Sequence, residues 1–188
     1  MMTLLQAFKN KIGNYFLSKE ASLVSRNKMF VNLGDAKTIG IVFNASEKEE
    51  FELVKKYINY LKDLKKRVKA IGFFNSVETP LMTYSKLEYD FFSLKDLNWY
   101  NTPKNVYVSN FIEDQFDILI DLNMHDSFPL TYISTLSRAK FKVGKKSSGD
   151  HSIFDLMLEI DSSKSLKYFM RNLDEYLFVI NKEQKNTK

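Results

Sequence analysis

The chain has 188 residues, 44% apolar and 14% aromatic, which is material for one hydrophobic core and too little for two. Its 28 basic and 23 acidic residues leave a net charge of +5, a moderate excess that permits an anionic partner without requiring one. Cysteine is absent, which excludes disulfides, thiolate metal sites and cysteine nucleophiles and fits a reducing compartment.

No stretch reaches the roughly eighteen apolar residues of a membrane-spanning helix. The N-terminal segment also lacks the uninterrupted apolar run and small-residue cleavage pattern of a secretory signal. The expectation is one cytoplasmic domain, with the sixteen Phe and ten Tyr used mainly to fill its core and grooves.

Residues 3–19 place Leu4, Leu5, Phe8, Ile12, Tyr15 and Phe16 on one stripe of a helix. Lys9, Lys11 and Lys19 are expected on the opposite face, and no acid precedes Glu20. A basic helix of this kind suits a membrane surface touched through residues 1–19, or an acidic or nucleic-acid partner. Packing on its own domain, or on a second copy in a homo-oligomer, is an equal expectation. Gly13 weakens the helix. Residues 1–36 are thus expected to form the basic helix and a connector, residues 37–181 an α/β domain, and residues 182–188 a polar tail.

Residues 37–76 have the pattern strand, helix, strand. Ile39, Ile41, Val42 and Phe43 supply the first strand, and Ser46 with Glu49 has the spacing of a capping box. Phe51, Val54, Tyr57, Ile58, Leu61 and Leu64 then recur at three and four residues, so one face of the helix is buried. Val68, Ala70, Ile71, Phe73 and Phe74 make a second strand, parallel to the first because a helix joins them. Residues 77–115 are less regular: Asp90 to Ser93 is expected as a short strand, and Ser93 with Asp96 as the cap of a helical turn carrying Leu97 and Trp99.

The segment FDILIDL, residues 116–122, is an apolar run of the kind that forms a central parallel strand. Pro129 suits the first turn of the next helix, which buries Leu130, Ile133 and Leu136. Phe141 to Gly144 begin a further strand, residues 154–160 the last one, and Leu166, Phe169, Met170, Leu173, Tyr176, Leu177 and Ile180 mark a C-terminal packing helix. The alternation predicts a single Rossmann-like, doubly wound, mostly parallel sheet.

Such sheets bind ligands beyond the carboxyl ends of their strands, where the strand order reverses. With strand 37–45 beside strand 116–122, the crevice candidates are Asn44, Ser46, Asp121, Asn123, His125 and Asp126. The loop FNASEKEE has neither G-x-G-x-x-G nor G-x-x-x-x-G-K-[ST], and its glutamates would repel phosphate, which disfavours dinucleotide and P-loop nucleotide sites.

His125 and Asp126 have the chemistry of an acid/base pair, although adjacent residues orient one another poorly and a surface role is the plainer reading. His151, after Asp150, would join a metal site only if two loops met, and no ligand spacing supports this. No G-x-S-x-G elbow accompanies Ser127, Ser134 or Ser137. Asp117 and Asp121 share one side of their strand, with only Asp121 near the crevice. No catalytic residue, metal or cofactor is therefore assigned. Arg138, Lys140, Lys142, Lys145 and Lys146, with Lys9 and Lys11, are the candidate contacts for an anion or partner, set against the plainer reading of a solvated face.

Residues 116–144, FDILIDLN…PLTYISTLSRAKFKVG, resemble the acceptor-side Rossmann domain of heptosyltransferase-type glycosyltransferases, in which a YDLVIDL strand precedes a helix and an A…R.G strand entry. That family's glycine-rich loop is not matched by FNASEKEE, so the likeness implies fold and not mechanism. The order KTIGIVF, DFFSLKDLNW, FDILIDL, PLTYISTLSRAKFKVG and FDLMLEI resembles, over most of the chain, an uncharacterised family of short cytoplasmic proteins from Bacteroidota. The resulting expectation is a non-enzymatic accessory protein that docks on a larger protein or ribonucleoprotein assembly. The alternative is an enzyme or sensor of glycosyltransferase-like fold that binds a nucleotide or sugar nucleotide.

Overall fold

The computed structural model describes residues 4–77, 89–146 and 153–180. Its helices are α1 (Leu4–Ala21), α2 (Lys48–Asp63), α3 (Val106–Glu113), α4 (Phe128–Leu136) and α5 (Leu166–Val179). Its strands are β1 (Thr38–Asn44), β2 (Arg67–Phe74), β3 (Tyr89–Ser93), β4 (Ile118–Asp121), β5 (Phe141–Lys145) and β6 (Leu156–Leu158). The strands form one six-stranded parallel sheet in the order β3-β2-β1-β4-β5-β6. This is the doubly wound α/β arrangement expected from the sequence, and the order reverses between β1 and β4, with Ile39 opposite Ile118 and Val42 opposite Asp121.

Both faces of the central strands are covered, which is why they are apolar without alternation. On one face, Ile39, Ile41 and Phe43 of β1 and Ile118 and Ile120 of β4 pack in a cluster with Val54, Ile58 and Leu61 of α2 and Phe169, Leu173 and Leu177 of α5. On the other, Val42, Ile71 and Leu119 meet Val108 and Phe111 of α3, Leu130 and Ile133 of α4, and Leu17 of α1.

The connector after α1 is a strap along this body. The Arg26 guanidinium donates to both carboxylate oxygens of Asp155 at 2.7 and 2.5 Å and to the Ala139 carbonyl at 3.1 Å. Asn32 Nδ2 donates to the Phe178 and Ile180 carbonyls at 2.8 and 2.7 Å, meeting acceptors that the end of α5 leaves open.

Several local expectations are corrected. Ser46 does not cap α2: the N-cap is Glu47, without a side-chain bond, and Ser46 Oγ instead accepts from the Asn75 N–H at 2.9 Å, tying the end of β1 to that of β2. The Ser93–Asp96 capping box is present, but its 3-10 turn is Leu94–Asp96, so Leu97 and Trp99 follow the turn rather than riding on it. Helix α3 has no counterpart in the sequence reading; its start is set by Asn105, whose side chain accepts from the Tyr107 N–H at 2.8 Å. The last strand is shorter than residues 154–160 and lies at the sheet edge. The tail 182–188 lies outside the described residues.

Helix α1 turns a different face inward from the one its apolar stripe suggests. It packs on α4 through Gly13 and Leu17, both buried, while Phe8 and Tyr15 are 58% and 68% exposed. Gly13 permits the contact by lacking a side chain, since a Cβ there would stand 2.6 Å from the Tyr100 carbonyl oxygen and 2.7 Å from the Phe128 ring. The hydroxyl of Tyr132 on α4 secures the same contact by donating to Glu20 at 2.5 Å. On helix propensity alone, Gly13→Ala would stabilise the protein by about 1 kcal/mol. The close approach predicts the opposite sign, a loss of about 1–3 kcal/mol in urea unfolding; a stabilised variant would show that α1 is not seated as described.

Candidate functional site

The apolar run of β4 ends at Asp121, and the chain then loops through Asn123 to Ser127 before α4 begins with Pro129 in its first turn. Asp121 is buried at 6% exposure. One of its oxygens accepts from the Ser134 hydroxyl of α4 at 2.7 Å, and the other accepts from the backbone N–H of Asn123 at 3.0 Å and from the Asn123 side-chain amide. The carboxylate fixes which way that amide faces, because only its NH2 end can approach the acceptor. The opposite end, Asn123 Oδ1, is covered and has no hydrogen-bond partner among the described residues. Burial pushes the Asp121 carboxyl up to about 6, against the three hydrogen bonds that favour its charged form.

Asp117, four residues earlier on the same run, behaves in the opposite way. Burial disfavours its charge, but a 2.8 Å bond from Lys140 Nζ and the backbone N–H groups of Lys37 and Thr38 outweigh that and bring it down to about 2. It belongs to the amino edge of the sheet and to structure.

Above Asp121 lies a groove of about 1020 Å3. The loop Asn123–Ser127 forms its floor with Asp121, α4 contributes Phe128 and Thr131, and Lys145, Lys146, Phe154 and Met157 close the far side. The remaining wall is α1, through Asn10, Asn14 and Ser18. These three are spaced by four residues, a polar stripe that was legible in the sequence; nothing in the sequence said that it would face this loop.

Of the crevice candidates, Asp121, Asn123, His125 and Asp126 are brought together here, the last two exposed. Asn44 and Ser46 are not among the lining residues. Asn44 Oδ1 accepts from the Ser46 N–H at 2.9 Å, and Ser46 is bound to Asn75, so the loop after β1 is closed on itself.

The basic candidates do not form one patch. Arg138 pairs with Glu113, Lys140 with Asp117 and Lys146 with Glu159. Lys142 is buried, and its Nζ donates to the Ser134 and Thr135 carbonyls near the end of α4, both at 2.8 Å; burial, together with nearby Arg26, depresses this amine to about 7. Lys145 Nζ holds the floor loop by donating to the Met124 carbonyl at 2.9 Å. Lys9 and Lys11 sit on α1, apart from this cluster. Among the described residues, no three His, Asp or Glu side chains gather as a metal site; His151 and Asp150 lie outside the described residues.

A model of a family of unknown function, DUF6913, matches residues 9–180. The chain belongs to that family. Comparisons with curated proteins and with solved structures each gave no match. Membership agrees with the expected resemblance to an uncharacterised family, and the match takes in α1 from Lys9 onward, the whole sheet and α5, so both walls of the groove belong to the shared domain.

The raised Asp121 acidity predicts a pH signature. Below about pH 4 the carboxyl is protonated in folded and unfolded chains alike. Between about pH 4 and 6 the unfolded chain ionises first and stability falls; above that the loss is complete. Asp174, pushed up to about 6 by burial beside Tyr57, adds a decline in the same window. Asp121→Asn should therefore remove part of the decline, up to about 3 kcal/mol, as read from urea unfolding between pH 4 and 7. An unchanged slope would mean that Asp121 is not held in a dry site.

Proposed function

We propose that the protein binds a small polyhydroxylated molecule, of the nucleotide or sugar-nucleotide class, in the groove above Asp121. The observation that carries this reading is the unmet acceptor Asn123 Oδ1, held in place by the buried Asp121 carboxylate beside a cavity of about 1020 Å3. An unpaired acceptor costs free energy that a hydroxyl donor would recover. Phe128 and Phe154 offer flat apolar surface to a base, Met157 a flexible apolar one, and His125 a hydrogen-bonding group.

The place is the one where doubly wound sheets take ligands. The closed, acidic loop after β1 argues that phosphates are not cradled there, so the ligand lies toward β4, β5 and α1.

A panel of nucleotides and sugar nucleotides should contain a ligand that raises the melting temperature of the full chain. At a hundredfold excess over Kd the gain is about 2.7 kcal/mol, or roughly 5–10 °C for a chain of this size. The shift should vanish in Asn123→Ala. A flat panel with folded protein would count against the reading.

A second reading, a cytoplasmic accessory protein that docks on a larger protein or ribonucleoprotein assembly, is favoured by one observation. The face of α1 turned away from the domain carries exposed aromatic side chains rather than a solvated polar surface. Isolation at low salt should then bring a macromolecular companion that Phe8→Ser/Tyr15→Ser loses; a monomer free of protein and nucleic acid would oppose it.

A further inference from the structure

Helix α1 is apolar on two sides, and the domain covers only one of them. Gly13 and Leu17 meet α4 and the Tyr100 carbonyl. On the opposite side, Phe8, Ile12, Tyr15 and Phe16 fall within a sector of about 100° when successive residues are turned by the helical repeat. Phe8 and Tyr15 are well exposed, and Phe16, at 36%, stacks on Tyr100 with ring centroids 5.0 Å apart. Tyr100 in turn meets Trp99 edge-on at 5.1 Å, and Trp99 is 60% exposed. The aromatic surface therefore continues from the helix onto the loop before α3.

Its charge is of one sign. The lysines do not stand on the face opposite the aromatic stripe, as the sequence suggests: in the continuous helix Lys9 and Lys11 lie at the two borders of the apolar sector and Lys19 in the last turn on the same side, while the first acid of the helix, Glu20, is engaged by Tyr132. These three ammonium groups meet no hydrogen-bond or ion-pair partner among the described residues, whereas Arg138, Lys140 and Lys146 all have carboxylate partners.

We infer that this face lies on an anionic lipid surface, with the aromatic rings at headgroup depth and the lysines at phosphate level. The inference gives to a lipid surface the face of α1 that the second reading gives to a macromolecular assembly, and it is independent of the groove. An apolar sector bordered by lysines, and extended by a tryptophan, has the composition of a helix that lies in the plane of the membrane interface. Nothing in it spans a bilayer, since no helix among the described residues is long and apolar enough to cross one. A second copy is the poorer occupant, because two such faces would set lysine against lysine without a carboxylate between them.

The full chain should be mixed with phosphatidylcholine vesicles, with and without phosphatidylglycerol, and followed by co-sedimentation and by the emission of Trp99, its one tryptophan. The expected result is binding and a blue shift with anionic vesicles only, weakened by salt. Phe8→Ser/Tyr15→Ser should lower the affinity about tenfold or more, and each of Lys11→Glu and Lys19→Glu roughly fivefold, with unfolding curves and any groove ligand unaffected because these side chains are exposed. No association with anionic vesicles by the folded protein, or equal association with neutral ones, would overturn the inference. So would a dimeric mass that Phe8→Ser/Tyr15→Ser reduces to monomer. Binding of single-stranded RNA through the same side chains, without vesicle binding, would assign the face to nucleic acid and likewise overturn it.

Discussion

The pairing of β1 with β4 is the constraint on which the rest of this molecule depends. These strands are not consecutive, so their contact marks the place where the chain stops winding one way and begins winding the other. Asp117 pins that pairing at the amino edge. Its carboxylate accepts from the backbone of Lys37 and Thr38, and its own N–H donates to the Thr38 carbonyl at 3.0 Å. With the register set there, Asp121 arrives opposite Val42, at the carboxyl edge and under the helices. Two aspartates thus bracket one strand, Asp117 just before β4 and Asp121 at its end, with their acidities shifted in opposite directions. Burial pushes both carboxyls up, and more at the fully buried Asp121, where only neutral donors oppose it; at Asp117 a lysine and two backbone amides outweigh it.

A doubly wound sheet leaves a crevice at its switch point, but the loops and flanking helices decide which side of it remains open. Here the loop after β1 is folded against itself by Asn44 and clipped to β2 by Ser46. The loop after β4 is held from below by Asp121 and from the side by Lys145, yet leaves Asn123 with an acceptor unused. The open volume accordingly lies toward α4, β5 and α1. Buried Lys142 contributes from beneath by holding the Ser134 and Thr135 carbonyls, which keeps the Ser134 hydroxyl where it can reach Asp121.

Helix α1 joins the two candidate surfaces. Its asparagine and serine stripe is a wall of the groove, its glycine and leucine stripe is the seat on the domain, and its aromatic stripe faces outward. Three stripes on one helix leave no side devoted to solvent, which sets α1 apart from α2, where apolar residues gather on a single buried face. A helix of this kind is held by close contact rather than by a broad apolar seam, so the glycine is what lets it approach.

The local periodicities by themselves determined the α/β class, the parallel pairing of β1 with β2, the central place of β4 and the packing faces of α2 and α5. In each case one continuous stretch of chain carries the whole signal, and burial on one or both faces leaves a pattern that can be counted. The polar loop after β4 was legible for the same reason: an apolar strand that ends abruptly in polar residues must end at an edge of the sheet.

What only the tertiary structure decided involves residues far apart in the chain. The seat of α1 was hidden because Phe8, Ile12, Tyr15 and Phe16 form the more apolar stripe, whereas Gly13 and Leu17 fit a surface made by Tyr100 and Phe128. Ser46 has the spacing of a cap, but the Asn75 N–H just past the end of β2, 29 residues on, claims its hydroxyl. The cluster from Arg138 to Lys146 is basic as text and dispersed in space, because a helix end, a strand and a loop send each side chain to a different carboxylate or carbonyl. Patterns of spacing report what a segment buries; which surface accepts it, and which partner is within reach, is settled only when the sheet brings distant segments together.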